Sequence, residues 1–251
     1  MRISSLQDKH KDEKLIFVSG AGPSLHAVDP KIINDYPIIT VNSAFPKFKD
    51  ARKLYFLSDD VGVKNYNYYV NILPHTRCIK LLYKKKLAKY AQQFDPEEVV
   101  WFNHKWWYSP KDKSTNPTGL VLTKNAEEPI VGARTSLGSA LHFAYIMAGA
   151  DTKIILLGSD CCFLNRHRYY WQFPEEEKVF RVTREPIFSR PNKGTHKGYP
   201  VDSHSMDFLK YWDAFAEQNK DTDVHIINAS GGIMDSFERL PLDEVLDKYG
   251  N

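Results

Sequence analysis

Short apolar runs, each stopping at a small or polar residue, set the pattern of this chain. Leu15-Ile16-Phe17-Val18-Ser19 stops at Gly20, and Tyr36-Pro37-Ile38-Ile39-Thr40-Val41 at Asn42-Ser43. Lys53-Leu54-Tyr55-Phe56-Leu57 runs into Ser58-Asp59-Asp60, and Arg77-Cys78-Ile79-Lys80-Leu81-Leu82-Tyr83 into a lysine cluster. Lys153-Ile154-Ile155-Leu156-Leu157 ends at Gly158-Ser159-Asp160, and His225-Ile226-Ile227-Asn228 at Ala229-Ser230. Unbroken apolar runs of this length predict strands buried on both faces. Between them the period changes. Leu137, Leu141, Tyr145 and Ala148 fall at helical spacing and predict a helix over 136–148, stopped by Gly149. Phe208, Leu209, Trp212 and Phe215 predict a second helix over 205–219, and 240–246 reads as a closing one. Shorter helical starts are expected at 24–28 and at Lys84-Lys85-Lys86.

Strands alternating with helices imply a mostly parallel sheet with helices on both faces. In such sheets ligands bind beyond the carboxyl ends of the strands. The polar residues that follow each run are therefore the ones expected to carry chemistry. Residues 1–13 read as a flexible polar arm, with one domain over 14–251. Residues 97–107 mix apolar, aromatic and charged positions without a clear period, and 109–119 read as a long loop. Residues 163–200, rich in Arg, Tyr and Pro, read as a lid-like insertion.

Composition narrows this only a little. A chain of 251 residues buries one good core, and a net charge of +3 demands neither nucleic acid nor an acidic membrane. No run is long enough to span a bilayer, and the N-terminus lacks the apolar stretch of a signal peptide. Cys78, Cys161 and Cys162 have neither disulfide-framework nor metal-ligand spacing. A reducing cytoplasm is the expected setting.

Gly20-Ala21-Gly22-Pro23-Ser24 follows the first strand directly. Glycine allows a sharp turn and close backbone approach to a ligand, and Pro23 suits a first helical turn. A nucleotide is one reading; a tight strand-to-helix turn without a ligand is the other. The turn is neither a dinucleotide fingerprint nor a Walker loop. Thr135 or Ser136 can cap the helix that follows, and a helix start beside Arg134 favours an anion. His204, just before the later helix, is a candidate base, with His167, His196 and His142 competing. Tyr169 and Tyr170, followed by Trp171, can hydrogen-bond a phosphate or stack on a ring, or simply pack a loop. His104-Lys105-Trp106-Trp107-Tyr108, with Lys84-Lys85-Lys86, Lys111 and Lys113, interleaves cations and aromatics. That composition suits a nucleic acid, a saccharide or a solvated face.

Taken in order, these segments resemble the bacterial lipooligosaccharide sialyltransferases. More distantly they resemble motility-accessory-factor glycosyltransferases and hydroxymethylpterin pyrophosphokinase-like domains. The blocks that carry the resemblance are Gly20-Ala21-Gly22-Pro23-Ser24-Leu25, Asn42, Thr135-Ser136-Leu137-Gly138, Leu156-Leu157-Gly158-Ser159-Asp160, His204-Ser205 and Asn228-Ala229-Ser230. The resemblance implies a single Rossmann-like α/β domain and a metal-independent, inverting transfer of a sugar from a nucleotide donor, with no cofactor. His204 would then be the general base, and Tyr169 or Tyr170 would steady the leaving phosphate. Gly20, Ala21, Gly22, Pro23, Ser24, Asn42, Thr135, Ser136, Asp160, Asn228 and Ser230 would hold the nucleotide. Lys105, Trp106, Trp107, Arg166 and Arg168 are placed on the acceptor. Ala21 stands where the family usually has Asn, so no particular donor follows. The family's membrane-associating C-terminal region is not evident, which favours a soluble acceptor such as a saccharide, a protein or a hydroxymethylated DNA base. An oligomer is compatible with all of this. Two other readings stay open: a pterin-type pyrophosphokinase using ATP and Mg²⁺ on Asp59, Asp60 and Asp160, and a non-catalytic nucleotide or nucleic-acid binding protein.

Overall fold

The computed structural model describes residues 1–105, 121–132, 135–174, 176 and 194–250. In chain order these form β1 (Leu15–Ser19), β2 (Pro37–Val41), β3 (Lys53–Ser58), β4 (Ile79–Tyr83), α1 (Lys84–Leu87), β5 (Val99–Phe102), β6 (His104–Lys105) and β7 (Ile130–Val131). There follow α2 (Ser136–Met147), β8 (Lys153–Leu157), β9 (Gly194–His196), β10 (Tyr199–Val201), α3 (Ser203–Asn219), β11 (His225–Asn228), β12 (Glu238–Arg239) and α4 (Leu242–Tyr249). An eight-stranded sheet has the order β12-β11-β8-β1-β2-β3-β4-β5. Every neighbouring pair in it is parallel. The chain starts in the middle at β1, builds outward to β5, then returns to β8 on the other side of β1. Its winding reverses between β1 and β8, which makes that gap the switch point of a Rossmann-like α/β domain.

The unbroken apolar runs follow from the two covered faces. Alternate residues of each strand point to opposite sides. Ile16, Val18, Ile39 and Leu156 meet α2 and α3 on one face. Leu15, Phe17, Phe56 and Leu157 meet Phe45, Phe48, Tyr68 and Val245 of α4 on the other. Helix α2 is buried on all sides, from Leu137 through Met147. Helix α3 buries only the stripe that contains Leu209, Trp212 and Phe215.

Several expectations change. Residues 1–13 are not a loose arm. Leu6 is fully buried, and the amides of Asp8 and His10 donate to the carbonyls of Ile146 and Met147 at the end of α2, at 3.0 and 2.9 Å. The apolar anchor and the frayed carbonyls of α2 hold the segment down. The run at 97–107 contains β5, whose acidic and aromatic flanks hide its period. The lysine cluster forms only one helical turn, α1. Helix α3 begins at Ser203, capped by Asp202, so His204 lies inside its first turn and not ahead of it. The ends of the insertion are tied together by Phe163 N–H on Pro200 O, 2.9 Å. Its far end is the β9–β10 hairpin. No described helix is long and apolar enough to cross a membrane.

Candidate functional site

The site is built on the close approach of the loops that leave β1 and β8. Gly20 N–H and Gly22 N–H each donate across this gap, to Leu157 O and Gly158 O, both at 2.8 Å. A Cβ at Gly20 would lie 2.7 Å from Gly158 O, and one at Gly22 2.5 Å from the same atom. Gly158 itself has φ +59°. The glycines are therefore required by the loop–loop contact alone, before any ligand is considered. Asp160 locks the same contact. Its Oδ2 accepts from Ser24 N–H at 3.0 Å, while its buried Oδ1 has no hydrogen-bond partner among the described residues. Burial raises the Asp160 pKa, and its contacts with Ser24 and the charge of Arg239 oppose that.

Above this floor lies a cleft with two lobes, of about 610 and 970 Å³ counted to their open mouths. Ala21, Thr135, Leu137, Tyr169 and Phe208 line both. The first lobe sits over Gly158-Ser159-Asp160 and reaches Arg168 and Trp212. The second opens over the ends of β2 and β3, at Asn42, Ser43 and Asp60. The start of α2 stands where they join. Thr135 Oγ1 accepts from Gly138 N–H at 3.1 Å, which caps the helix and aims its positive end at the cleft.

A buried polar network backs the second lobe. Ser136 Oγ donates to Asp59, Asn42 Nδ2 donates to Ser136 Oγ at 3.3 Å, and His104 Nε2 lies 3.2 Å from Asp59 Oδ2. Burial alone would raise the Asp59 pKa. Hydrogen bonds from His104 and Ser136 and the charges of His104 and Lys86 outweigh it and hold the carboxyl below its ordinary value. Asn42 has φ +49°, and its buried Oδ1 lacks a hydrogen-bond partner among the described residues. Both features are costly, and such strain collects at functional sites. Comparison of the chain with protein-family models, curated proteins and solved structures finds no match. The function of this chain is therefore to be sought in the geometry and chemistry of its cleft.

The structure brings together Ala21, Gly22, Pro23, Asn42, Thr135, Ser136, Asp160, Arg168 and Tyr169 around this cleft. Other expected residues lie apart. Tyr170 is fully buried and lines neither lobe, and burial lifts its phenol well above the ordinary range, so of the two tyrosines only Tyr169 is at the cleft. Asn228 and Ser230 are turned inward. Asn228 Nδ2 donates to Met234 O at 2.8 Å, and Ser230 Oγ accepts from Ser159 N–H at 2.8 Å. They pin the β8 and β11 loops and do not line the cleft. Gly20 and Ser24 likewise serve the floor. Arg166 is exposed in the turn that joins Leu164 to His167, with φ +66°. Arg168 is ion-paired with Asp202. His204 is exposed, its ring 6.0 Å from that of Phe208, which lines both lobes. His142 is a core residue, with Nδ1 accepting from Val131 N–H at 2.8 Å. Lys105 falls in β6, which pairs with β7 in a separate two-stranded sheet and not in the eight-stranded one. Trp106, Trp107, Tyr108, Lys111, Lys113 and Arg134, and residues 175 and 177–193 of the insertion, lie outside the described residues.

Sequence reasoning misses several contributors. Tyr66 and Phe208 form cleft wall beside Trp171, and His104 reads in the sequence as part of a basic surface although only 2 % of its side chain is exposed. Nothing in the local pattern joins His104 to Asp59, because the pair exists only once β3 and β6 are in place. Among the described residues no group of three or more His, Cys, Asp or Glu is arranged to hold a metal ion.

Proposed function

We propose that this chain is a glycosyltransferase that moves a sugar from a nucleotide-sugar donor to an acceptor hydroxyl on a saccharide or a modified DNA base. The observation that carries the reading is the join of the two lobes. There the positive end of α2 faces a cleft at the sheet's switch point, where a nucleotide phosphate is best held.

In this reading the acceptor oxygen attacks the anomeric carbon as its proton passes to the His204 imidazole. The bond from that carbon to the phosphate oxygen breaks, and its electron pair leaves with the nucleotide. The Tyr169 hydroxyl donates a hydrogen bond to that phosphate, and the α2 end lowers the cost of its charge. What supports His204 in this role is its ring contact with Phe208, a residue that lines both lobes, although His204 itself is in neither lining.

A thermal-shift series with CMP, UDP, GDP, ATP and their sugar conjugates tests the donor. A nucleotide that binds the folded chain raises its melting point by mass action. One nucleotide family should do so, and transfer should persist in EDTA. No shift with any nucleotide removes the proposal. ATP-dependent transfer that EDTA abolishes would replace it with the pyrophosphokinase reading.

A further inference from the structure

The second lobe has a character that the nucleotide reading does not use. Tyr169 stacks on Trp171 with ring centroids 5.2 Å apart and planes within 4°. Tyr66 meets Trp171 from the other element at 6.3 Å. Trp171 is fixed by Nε1–H donating to Ser43 Oγ at 3.1 Å. Three rings from two separate segments thus form one wall of a cleft lobe.

The same lobe is lined by oxygen-rich groups. Asp60 Oδ1 accepts from Gly62 N–H at 2.8 Å, and this capping bond fixes the carboxylate at the lobe. Burial raises the Tyr66 pKa, and the neighbouring Tyr169 and Asp60 raise it further, so Tyr66 keeps its proton as a donor. Asn42 and Ser136 complete the floor. Aromatic rings in one lobe with a carboxylate, hydroxyls and an amide match the two kinds of surface of a pyranose. C–H bonds lie on the ring face, and vicinal hydroxyls lie on the edge. A phosphate would meet Asp60 as a like charge.

We propose that the second lobe is a subsite for a hydroxyl-rich sugar ring, stacked on the Tyr66–Trp171–Tyr169 wall and hydrogen-bonded by Asp60. The proposal rests on the transferase reading, and it makes this lobe the place of the sugar while the nucleotide occupies the first.

Saturation-transfer NMR and titration on the full chain test it, with glucose, galactose, N-acetylglucosamine, lactose and cellobiose as probes and UMP and CMP as comparators. At least one saccharide should show ring-proton saturation. Asp60→Asn keeps the capping oxygen but exchanges an acceptor for a donor, and should weaken that saccharide about tenfold. Tyr66→Ala should weaken it at least as much. Tyr66→Phe should retain the ring-proton signal. Nucleotide-induced thermal shifts should be unchanged in all three variants, which also shows that they fold. No saccharide signal from the native chain, or saccharide affinity in Asp60→Asn and Tyr66→Ala equal to that of the native chain, overturns the assignment. Loss of nucleotide shifts in these folded variants overturns it in favour of a base-binding lobe. Failure of the transferase reading is separate, since it appears as the absence of any nucleotide shift in the native chain.

Discussion

At the scale of single residues, the site separates groups that hold the floor together from groups that face a ligand. Gly22 belongs to the floor. A methyl there would sit 2.5 Å from Gly158 O and overlap the Asp160 carboxylate, both of them held by backbone or by hydrogen bonds. Gly22→Ala should therefore cost about 1–3 kcal/mol in urea unfolding, the usual range for overpacking a rigid contact. Normal stability in that variant would mean that the loops are free to part. His204 is the opposite case, exposed, with its imidazole in ring contact with Phe208. His204→Ala should leave the melting point and the nucleotide-induced shift in place. Transfer should fall by about 10²–10⁴, the usual contribution of a general base. Unchanged turnover would move the base elsewhere. Tyr170 shows the limit of reading adjacent residues from sequence. Neighbouring tyrosines look equivalent in a string, but the short 3₁₀ turn Tyr170–Gln172 sends one into the core and leaves its predecessor at the cleft.

At the scale of elements, the central strands are legible in the sequence because both of their faces are covered, which forces unbroken apolar runs. Helix α2 is legible for the same reason. Strand β5 is not, since Val99-Val100-Trp101-Phe102 is short, lies at the sheet edge and follows acidic residues that suggest a surface. The start of α3 escapes the apolar pattern because its capping residue, Asp202, is polar and leaves no mark on that pattern. That aspartate does more than cap. Its Oδ1 accepts from Ser205 N–H and Ser205 Oγ–H at 2.7 and 2.8 Å, and its other oxygen is paired with Arg168. Side-chain exposure at this pair is only 10 % for Arg168 and 7 % for Asp202, so neither charge is well hydrated. Asp202→Ala should remove the cap and strand a buried guanidinium, for a loss of roughly 3–5 kcal/mol by chemical denaturation. It should also free the wall of the first lobe, because Arg168 lies on it. A loss below about 1 kcal/mol would show that Arg168 escapes to water and that the pair is incidental.

At the scale of the whole molecule, the N-terminal segment joins the back of the sheet to the end of α2 and so couples distant parts of the chain. His10 is the centre of that joint. Its Nε2 and the Tyr55 hydroxyl share a hydrogen bond of 2.7 Å, and its backbone runs in bridge contact with Ala148. Burial lowers the His10 pKa from 6.5 to about 4, with Lys9 and Lys53 acting in the same direction and Glu13 against it. Between those two values the unfolded chain binds a proton that the folded chain refuses. The stability that His10 contributes is therefore complete above pH 6.5 and is lost as the pH falls toward 4. Melting curves over that window should drop more steeply for the native chain than for His10→Gln, which keeps a polar side chain but cannot titrate. Hydrogen exchange locates the effect. The amides of Asp8 and His10, bonded to the end of α2, should lose protection at acidic pH before those of β1 do, because local opening of the segment needs less free energy than global unfolding. If all of these amides lose protection together, the segment is part of the cooperative core, and acid acts on the molecule as a unit.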